Sequence, residues 1–293
     1  MLFVEFASPI AFLSRTMDTR QTGFAAHQPS TLKELATMIR LASLIAMTLC
    51  TVSLTAFTRA AEPDTRVYEM RIYYAAEGKL DALHSRFRDH TVKLFEKHGI
   101  QNIGYWVPIE NPERQLIYFL AYPTREAREA SWKAFMADPD WKKAQKASEV
   151  DGKLVSKVEQ KFFKATDYSP AIKADAKGDR VFEMRTYTAS PGNLKALESR
   201  FRDHTVKLFE KHGMTNIAYW TLMDDQKDAD NNLTYIIAHK SQDAAKENFA
   251  AFGKDPDWLA ARKASEEKAG GSLTAPMGVK SVFMKATDYS PIK

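Results

Sequence analysis

The chain has 293 residues, of which 44% are hydrophobic and 27% charged, with 12 Gly and 12 Pro. This composition predicts a folded protein of one to three domains and excludes collagen-like, disordered and disulfide-scaffold proteins. The formal net charge is +5, and it falls to 37 − 34 = +3 without the first 60 residues, which hold five Arg or Lys and three Asp or Glu. Nucleic-acid binding needs a concentrated basic surface, so we expect no nucleic acid as a partner.

The N-terminal region predicts an export signal. The apolar stretch Leu41–Phe57 follows a short basic start at Met38, contains Cys50, the only cysteine of the chain, and precedes small residues at Ala60 and Ala61. This arrangement is typical of a cleaved secretory signal. We therefore expect a periplasmic or secreted protein with no stable membrane insertion after cleavage, and Met38 as an alternative start. An uncleaved anchor is the other interpretation, although 17 residues is the short limit for a spanning helix.

The rest of the chain is an internal duplication. Val67–Trp106 aligns without gaps on Val181–Trp220, with 29 of 40 positions identical, and the run Ser85–Gly99 recurs unchanged at Ser199–Gly213. A repeat of this kind predicts two copies of one structural unit. The predicted regions are a leader and signal at 1–60, a first domain at 61–173 and a second domain at 174–293.

Each copy shows the same order of predicted elements. In the first copy they are a strand over Val67–Tyr74, a helix over Leu80–His98, strands over Asn102–Val107 and Gln115–Tyr122, a helix from Thr124 to Met136 that restarts at Asp138, and a strand over Val158–Lys164. The order βαββαβ is that of a ferredoxin-like unit, an α+β fold. Such a unit leaves one sheet face bare, so we expect the two tandem halves to form an intramolecular dimeric α+β barrel, with a higher oligomer left open.

The pattern VYEMRxY, a helix ending in LFEKHG, a following YW, a strand ending in Tyr-Pro and a DPDW turn resembles the NIPSNAP family of the dimeric α+β barrel superfamily. The resemblance covers Val67–Tyr168 and Val181–Tyr289. It implies the barrel fold but no particular reaction, because the family has no settled enzymatic activity. Other branches of the superfamily include cofactor-free monooxygenases, isomerases and haem enzymes. The resemblance therefore implies that a ligand binds between a sheet and its own helices.

The first helix of each copy supplies the candidate catalytic residues. Winding at 3.6 residues per turn puts Phe87 on the apolar stripe and His90 at its border, one turn after Arg86. We predict that His90 and its counterpart His204 transfer protons at the cleft rim, and that Arg86 and Arg200 orient an anionic group of the substrate. The alternative is that each histidine is a border residue hydrogen-bonded to the backbone.

The strands supply aromatic and charged candidates. The aromatic residues predicted to contribute to substrate binding are Trp106, Tyr118, Trp220 and Tyr235. On the first strand, Glu69 and Arg71 alternate with Tyr68 and Met70, as Glu183 and Arg185 do in the second copy. If Tyr68 and Met70 pack beneath the helices, the charged pair faces the barrel interior, where it would fix how the two halves dock.

These residues favour a binding function over the familiar enzyme classes. Neither copy shows the three or four converging ligands of a metal site, so we predict no metal and no cofactor, although one axial histidine, His90 or His204, would suffice for haem. No Ser-His-Asp signature, phosphate loop or dinucleotide fingerprint is present. We expect binding of a small apolar or aromatic molecule in the sheet–helix cleft, with cofactor-free catalysis left open. The alternatives are a non-catalytic interaction or scaffold protein and a haem-binding barrel.

Overall fold

A computed structural model describes residues 63–175 and 178–293. The predicted leader, signal and alternative start lie outside the described residues. Within the described ranges, no helix is both long enough and apolar enough to cross a membrane.

The described chain consists of two βαββαβ halves. The first contains β1 (Val67–Ala75), α1, β2 (Gln101–Pro108), β3 (Gln115–Tyr122), α2 (Arg125–Ala137), α3 (Pro139–Ser148) and β4 (Val155–Ala165). The second contains β5 (Val181–Ala189), α4, β6 (Thr215–Leu222), β7 (Asn232–His239), α5 (Gln242–Lys254), α6 (Pro256–Ala269) and β8 (Thr274–Ala286). The first helix of each half has three segments: α1 comprises Leu80–Arg86, a π-helical turn over Phe87–Thr91, and Val92–Lys97, and α4 comprises Leu194–Arg200, a π-helical turn over Phe201–Thr205, and Val206–Lys211.

Local signals explain where the helices begin and end. The Thr124 hydroxyl accepts a hydrogen bond from the backbone N–H of Ala127 at 3.1 Å and caps α2. The Asp138 carboxylate caps α3, which has a proline in its first turn. Gly99 follows the end of α1 with φ +72°, a left-handed conformation that glycine adopts without steric cost. The predicted order of elements is confirmed in both halves.

All eight strands join in one closed barrel in the order β1-β3-β2-β8-β5-β7-β6-β4. Two seams connect the halves: β2 pairs with β8, with Trp106 opposite Ala286, and β4 pairs with β6, with Ala165 opposite Trp220. Closure removes the free edges that each sheet would otherwise expose. The barrel interior is filled by aromatic residues of both halves, and the rings of Phe119 and Trp220 stack across it with centroids 4.5 Å apart. The predicted intramolecular α+β barrel is confirmed.

The predicted orientation of the first strand is wrong. Tyr68 and Met70 belong to the core cluster inside the barrel, so Glu69 and Arg71 point outward, toward the helices of their own half. The physical reason is that the partners for a buried charge lie on the helix side of the sheet. The core cluster inside the barrel consists of apolar and aromatic residues, whereas helix α2 presents Arg128 to the outer face of the sheet, and a buried carboxylate needs such a partner.

A short segment after the last strand of each half packs on the other half. We call these segments the crossing tails: residues 166–170 and 287–291. In the second tail, the Asp288 carboxylate accepts two hydrogen bonds from Arg88 at 2.5 and 2.8 Å, and Tyr289 joins the sheet–helix core of the first half. In the first tail, Asp167 pairs in the same way with Arg202. Each half therefore completes the core of the other.

Candidate functional site

A cavity of about 380 Å³ lies between the sheet and the helices of the first half. We call it the first-half cleft. Its lining includes Arg71 and Tyr73 from β1, Arg86 and Phe87 from α1, Trp132 and Phe135 from α2, Trp141 from α3, and Glu149, Lys153 and Val158. The cleft lies where the resemblance implies a ligand site, and it combines cationic side chains with aromatic walls.

A buried carboxylate organises the sheet side of the cleft. Glu69 is 0% exposed, and it accepts hydrogen bonds from four side chains. Arg71 donates at 2.6 Å, Tyr122 at 2.9 Å, Arg128 at 2.9 and 3.0 Å, and Trp132 at 3.3 Å. Burial alone would raise the pKa of Glu69, but the hydrogen bonds from Arg128 and Arg71 and the charges of these two guanidinium groups lower it below its ordinary value. Glu69 therefore stays ionised and fixes Arg71 in place.

Arg71 remains charged at the floor of the cleft. Burial alone would lower the pKa of its guanidinium, yet neighbouring tyrosines and Glu69 raise it above the ordinary value. The guanidinium also donates to Gln160 at 2.8 Å and lies 4.4 Å from the centre of the Trp132 ring. A cation on an indole face is held by cation–π attraction. This arrangement leaves a fixed positive charge beside an aromatic wall.

Arg86 forms a second cationic position on the helix side. Its Nη1 donates to Glu149 at 2.8 Å and to Ser148 at 3.3 Å, and its guanidinium lies 5.3 Å from the centre of the Trp141 ring. The π-helical turn of α1 begins directly after Arg86, and the Thr91 hydroxyl donates to the Arg86 carbonyl at 3.1 Å. Arg86 thus lies in the lining of the cleft, at the position that the sequence predicted.

The charges around the cleft do not balance. The lining holds three cations, Arg71, Arg86 and Lys153, and one carboxylate, Glu149. Behind it, the charges of Glu69 and Arg128 cancel. Arg128 is also paired with the exposed Glu129, so the sum 3 − 1 − 1 leaves a local charge of +1, which favours an anionic ligand.

The four predicted aromatic residues do not line the cleft together. Trp106 and Trp220 lie inside the barrel, and Tyr118 and Tyr235 lie fully buried in the two sheet–helix cores. The Tyr118 ring supports the cleft from below, because it packs edge-on against Phe87 with centroids 5.3 Å apart. Burial raises the pKa of Tyr118 well above its ordinary value, so its hydroxyl stays protonated.

The predicted histidines lie elsewhere. His90 and His204 are exposed, and neither belongs to the lining of the first-half cleft. In the second half, His204 and the predicted Arg200 both line a cavity of about 380 Å³ between α4 and α6. His204 also borders an open groove of about 650 Å³ among Lys207, Lys211 and Asp257. These exposed and charged surroundings do not fit a buried haem. Among the described residues, no group of three or more His, Cys, Asp or Glu is placed to hold a metal ion.

Sequence reasoning missed the contribution of the second helix to the site. Arg128 and Trp132 are one helical turn apart on α2 and both contact Glu69. That i, i+4 spacing of a cation and an indole on a helix expected to cover the sheet is the signal that could have found them. Glu149, directly after α3, carries no comparable signal because it reaches Arg86 only through the tertiary fold.

The second half builds the corresponding region differently. Its carboxylate, Glu183, accepts hydrogen bonds from Arg185 at 2.5 Å, Ser281 at 2.5 Å and the buried His239 at 3.0 Å. Burial alone would raise the pKa of Glu183, but these partners lower it. Arg200 contacts Glu266 at 3.5 Å, a longer separation than between Arg86 and Glu149.

Comparison with known proteins gives the family. The NIPSNAP family matches residues 68–170 and 182–291, which include both halves. The chain belongs to the NIPSNAP family. No curated protein matches the chain significantly. The family and the barrel fold together support a small-molecule-binding fold for this NIPSNAP protein.

Several solved structures are similar to this chain. A NIPSNAP-like domain protein from Burkholderia xenovorans is 18% identical, with 37% of this chain and 92% of that chain covered and a TM-score of 0.34. A NIPSNAP family protein from Agrobacterium tumefaciens str. C58 is 21% identical, with 41% and 99% covered and a TM-score of 0.34. An anthrone oxidase-like protein is 10% identical, with 80% and 96% covered and a TM-score of 0.51. This last likeness extends over most of the chain and shows the shared barrel fold alone.

Proposed function

We propose that this protein binds a small aromatic anion in the first-half cleft. The observation that carries the proposal is the pair of buried arginines, Arg71 and Arg86, each fixed by a carboxylate and each lying over a tryptophan ring of the same cavity. Preorganised guanidinium groups recognise carboxylate and related anions, and the aromatic walls suit a planar ring.

The cavity favours ligand binding over a purely structural barrel. Its volume of about 380 Å³ lies within the range of small-molecule pockets. A scaffold protein whose barrel only supports an outer surface needs no such space lined by cations. If the bound molecule also reacts without a cofactor, Glu149 is the carboxylate of the lining that would accept a proton, in the role first predicted for His90.

Calorimetric titration with benzoate tests the binding proposal. Wild-type protein should bind benzoate saturably with one site per chain, and benzamide, the uncharged analogue, should bind at least about tenfold more weakly. Arg86→Gln should reduce benzoate affinity by at least about tenfold, because a charge-assisted hydrogen bond is lost. The matched control is Arg200→Gln, the same change in the second half, which should leave affinity unchanged. Absence of benzoate binding, or equal losses in the two variants, would contradict the proposal.

We further propose that the protein acts outside the cytoplasm, on the basis of the signal-like pattern around Leu41–Phe57. Intact-mass measurement of protein recovered from the periplasm or medium should show a chain beginning near Ala60 or Ala61. A mature species that still carries Leu41–Phe57 would indicate an anchor instead.

A further inference from the structure

We infer that Lys153 makes the first-half cleft selective for anions over neutral molecules of the same shape. This inference rests on the proposed function and assigns its charge selectivity to one residue. Lys153 follows α3 and precedes β4, belongs to the lining of the cleft, and is exposed to solvent. A lining residue that is also exposed lies at the mouth of the cavity, so an entering ligand passes Lys153.

The two arginines of the lining already have carboxylate partners. Arg71 Nη1 lies 2.6 Å from Glu69, and Arg86 Nη1 lies 2.8 Å from Glu149. Because each guanidinium charge is balanced by an adjacent carboxylate, the arginines offer a ligand hydrogen-bond donors more than net charge. An N–H group can donate to the oxygen of an amide as well as to that of a carboxylate. The arginines alone therefore discriminate weakly between a neutral ligand and an anion.

Lys153 is the cation of the lining that has no carboxylate partner. Within the part of the chain that the structure describes, no carboxylate lies within 4.0 Å of its ammonium nitrogen, and this includes Glu149 and Asp151, the acidic residues nearest to it in the sequence. The other charges around the cleft form matched pairs, because three arginines face three carboxylates there. The excess positive charge is therefore that of Lys153.

The second half has a different arrangement at the corresponding place. Ser272 stands at the position of Lys153, and Arg262 stands at the position of Gln145, another residue of the cleft lining. Arg262 is ion-paired, because its Nε lies 3.2 Å from Glu266. The unpaired ammonium is thus a feature of the first half that the duplication does not account for.

The chemistry of an exposed ammonium fits this role. Lysine carries a compact charge and three donors on a flexible stem, so its ammonium can follow a carboxylate into the cavity mouth. A neutral amide gains no comparable Coulomb attraction. A charge at the rim of a binding surface acts through water, and its attraction is screened by salt. The preference of the cleft for an anion should therefore weaken as the ionic strength rises.

Paired titrations with benzoate and benzamide at low salt test the inference. We expect Lys153→Ser, the second-half residue at this position, to lower the ratio of benzoate affinity to benzamide affinity by at least about threefold. Lys153→Arg restores the charge and should keep the wild-type ratio to within about twofold. The matched control is Lys143→Ser, which removes an exposed lysine of α3 outside the cleft lining and should also keep the ratio.

Salt dependence supplies a second readout that a purely structural role would not change. Raising the sodium chloride concentration should lower the affinity ratio of the wild-type protein more than that of Lys153→Ser. Because Lys153 is exposed and unpaired within the described chain, the thermal transition of the variant should stay near that of the wild type.

The possible outcomes separate this inference from the proposed function. A wild-type preference for benzoate that changes by less than about threefold in Lys153→Ser, or an equal salt dependence of the two proteins, would overturn the inference and leave the proposed function standing. Absence of saturable benzoate binding by the wild-type protein would instead overturn the proposed function itself.

Discussion

The two halves of the barrel keep the same charged pair on their first strands and surround it with different partners. Glu69 accepts hydrogen bonds from Arg71, Tyr122, Arg128 and Trp132, whereas Glu183 accepts them from Arg185, His239 and Ser281. In the repeat alignment the residues that differ are Tyr122, Arg128, Trp132 and Gln160 in the first half and His239, Ala245, Phe249 and Ser281 in the second.

This difference separates the residues that the fold requires in both halves from the residues that are specific to the first-half cleft. A carboxylate and an arginine on the central strand recur in both halves, so the pair serves the sheet–helix packing of either unit. The additional guanidinium of Arg128 and the lysine Lys153 occur only in the first half, where Ala245 and Ser272 stand in the second. The positive charges of Arg128 and Lys153 are therefore present only in the first half.

The crossing tails differ in the same manner. The Tyr289 hydroxyl and Nδ1 of His84 share a hydrogen bond at 2.8 Å, whereas Tyr168 lies near Glu198, the counterpart of His84. Burial lowers the pKa of His84 and raises the pKa of Glu198. The ring of Tyr289 packs on Tyr105 and that of Tyr168 on Tyr219. The aromatic contact is therefore retained, and the polar partner has diverged.

The largest expected effect comes from removing one half altogether. Residues 61–173 alone would expose the edges of β2 and β4 and the aromatic face that lines the barrel, so we expect this fragment to dimerise or aggregate. Light scattering after size-exclusion chromatography measures the outcome. A monodisperse, cooperatively unfolding monomer would show that the halves are independent and that the comparison between them concerns two separate domains.

A smaller effect should distinguish the two buried carboxylates. Glu69→Gln removes the anionic partner of Arg71 and leaves Arg128 with only the exposed Glu129, and we expect a loss of about 3–5 kcal/mol in the free energy of unfolding. Glu183→Gln should cost less, because Arg185 is the one arginine that loses its anionic partner. Urea unfolding of both variants measures the difference.

The pH dependence provides a control on this prediction. The partners of Glu69 lower its pKa in the folded state, so its contribution to stability is present above the ordinary pKa of glutamate and is lost as the pH falls through the lowered value. The difference in the free energy of unfolding between wild-type protein and Glu69→Gln should therefore shrink in acid.

A control variant removes an exposed carboxylate instead. Glu129→Gln, which removes an exposed partner of Arg128, should reduce the free energy of unfolding by no more than about 1 kcal/mol. Equal losses for Glu69→Gln and Glu183→Gln would mean that Arg128 adds nothing to the first-half network.

The sequence was sufficient for the fold but not for the orientation of the first strand. Element order and the barrel follow from local periodicity and from the duplication, because each half exposes a sheet face that only the other can cover. The alternation along β1 defines two faces without saying which one lies inside the barrel. Val67, Tyr68, Glu69, Met70 and Arg71 are all buried, so no solvent-exposed face marks the outside.

The sequence predicted only part of the candidate site. Residue patterns along a single element do not show tertiary contacts or local changes in helical winding. Arg86 precedes the π-helical turn and lies in the cleft as predicted, whereas His90 lies within that turn, where uniform winding no longer describes the helix. Arg128 and Trp132 act through a tertiary contact with Glu69, which periodicity along a single helix does not reveal. Local pattern thus identified one of the two arginines of the site and misplaced the histidine.

The smallest expected effect concerns the histidines of the first helices. His90 and His204 are exposed in both halves, so His90→Ala combined with His204→Ala should change the free energy of unfolding by no more than about 0.5 kcal/mol per site. Phe87→Ala is the contrasting variant on the same helix: its ring is buried in the sheet–helix core, and its loss should cost about 3–5 kcal/mol. Because neither histidine lines the first-half cleft, the double variant should also bind benzoate with wild-type affinity. Thermal melts and benzoate titrations on the same preparation separate the two effects. A double variant that melts normally but no longer binds benzoate would give these histidines a role in binding and would place the ligand nearer the outer surface of α1 and α4.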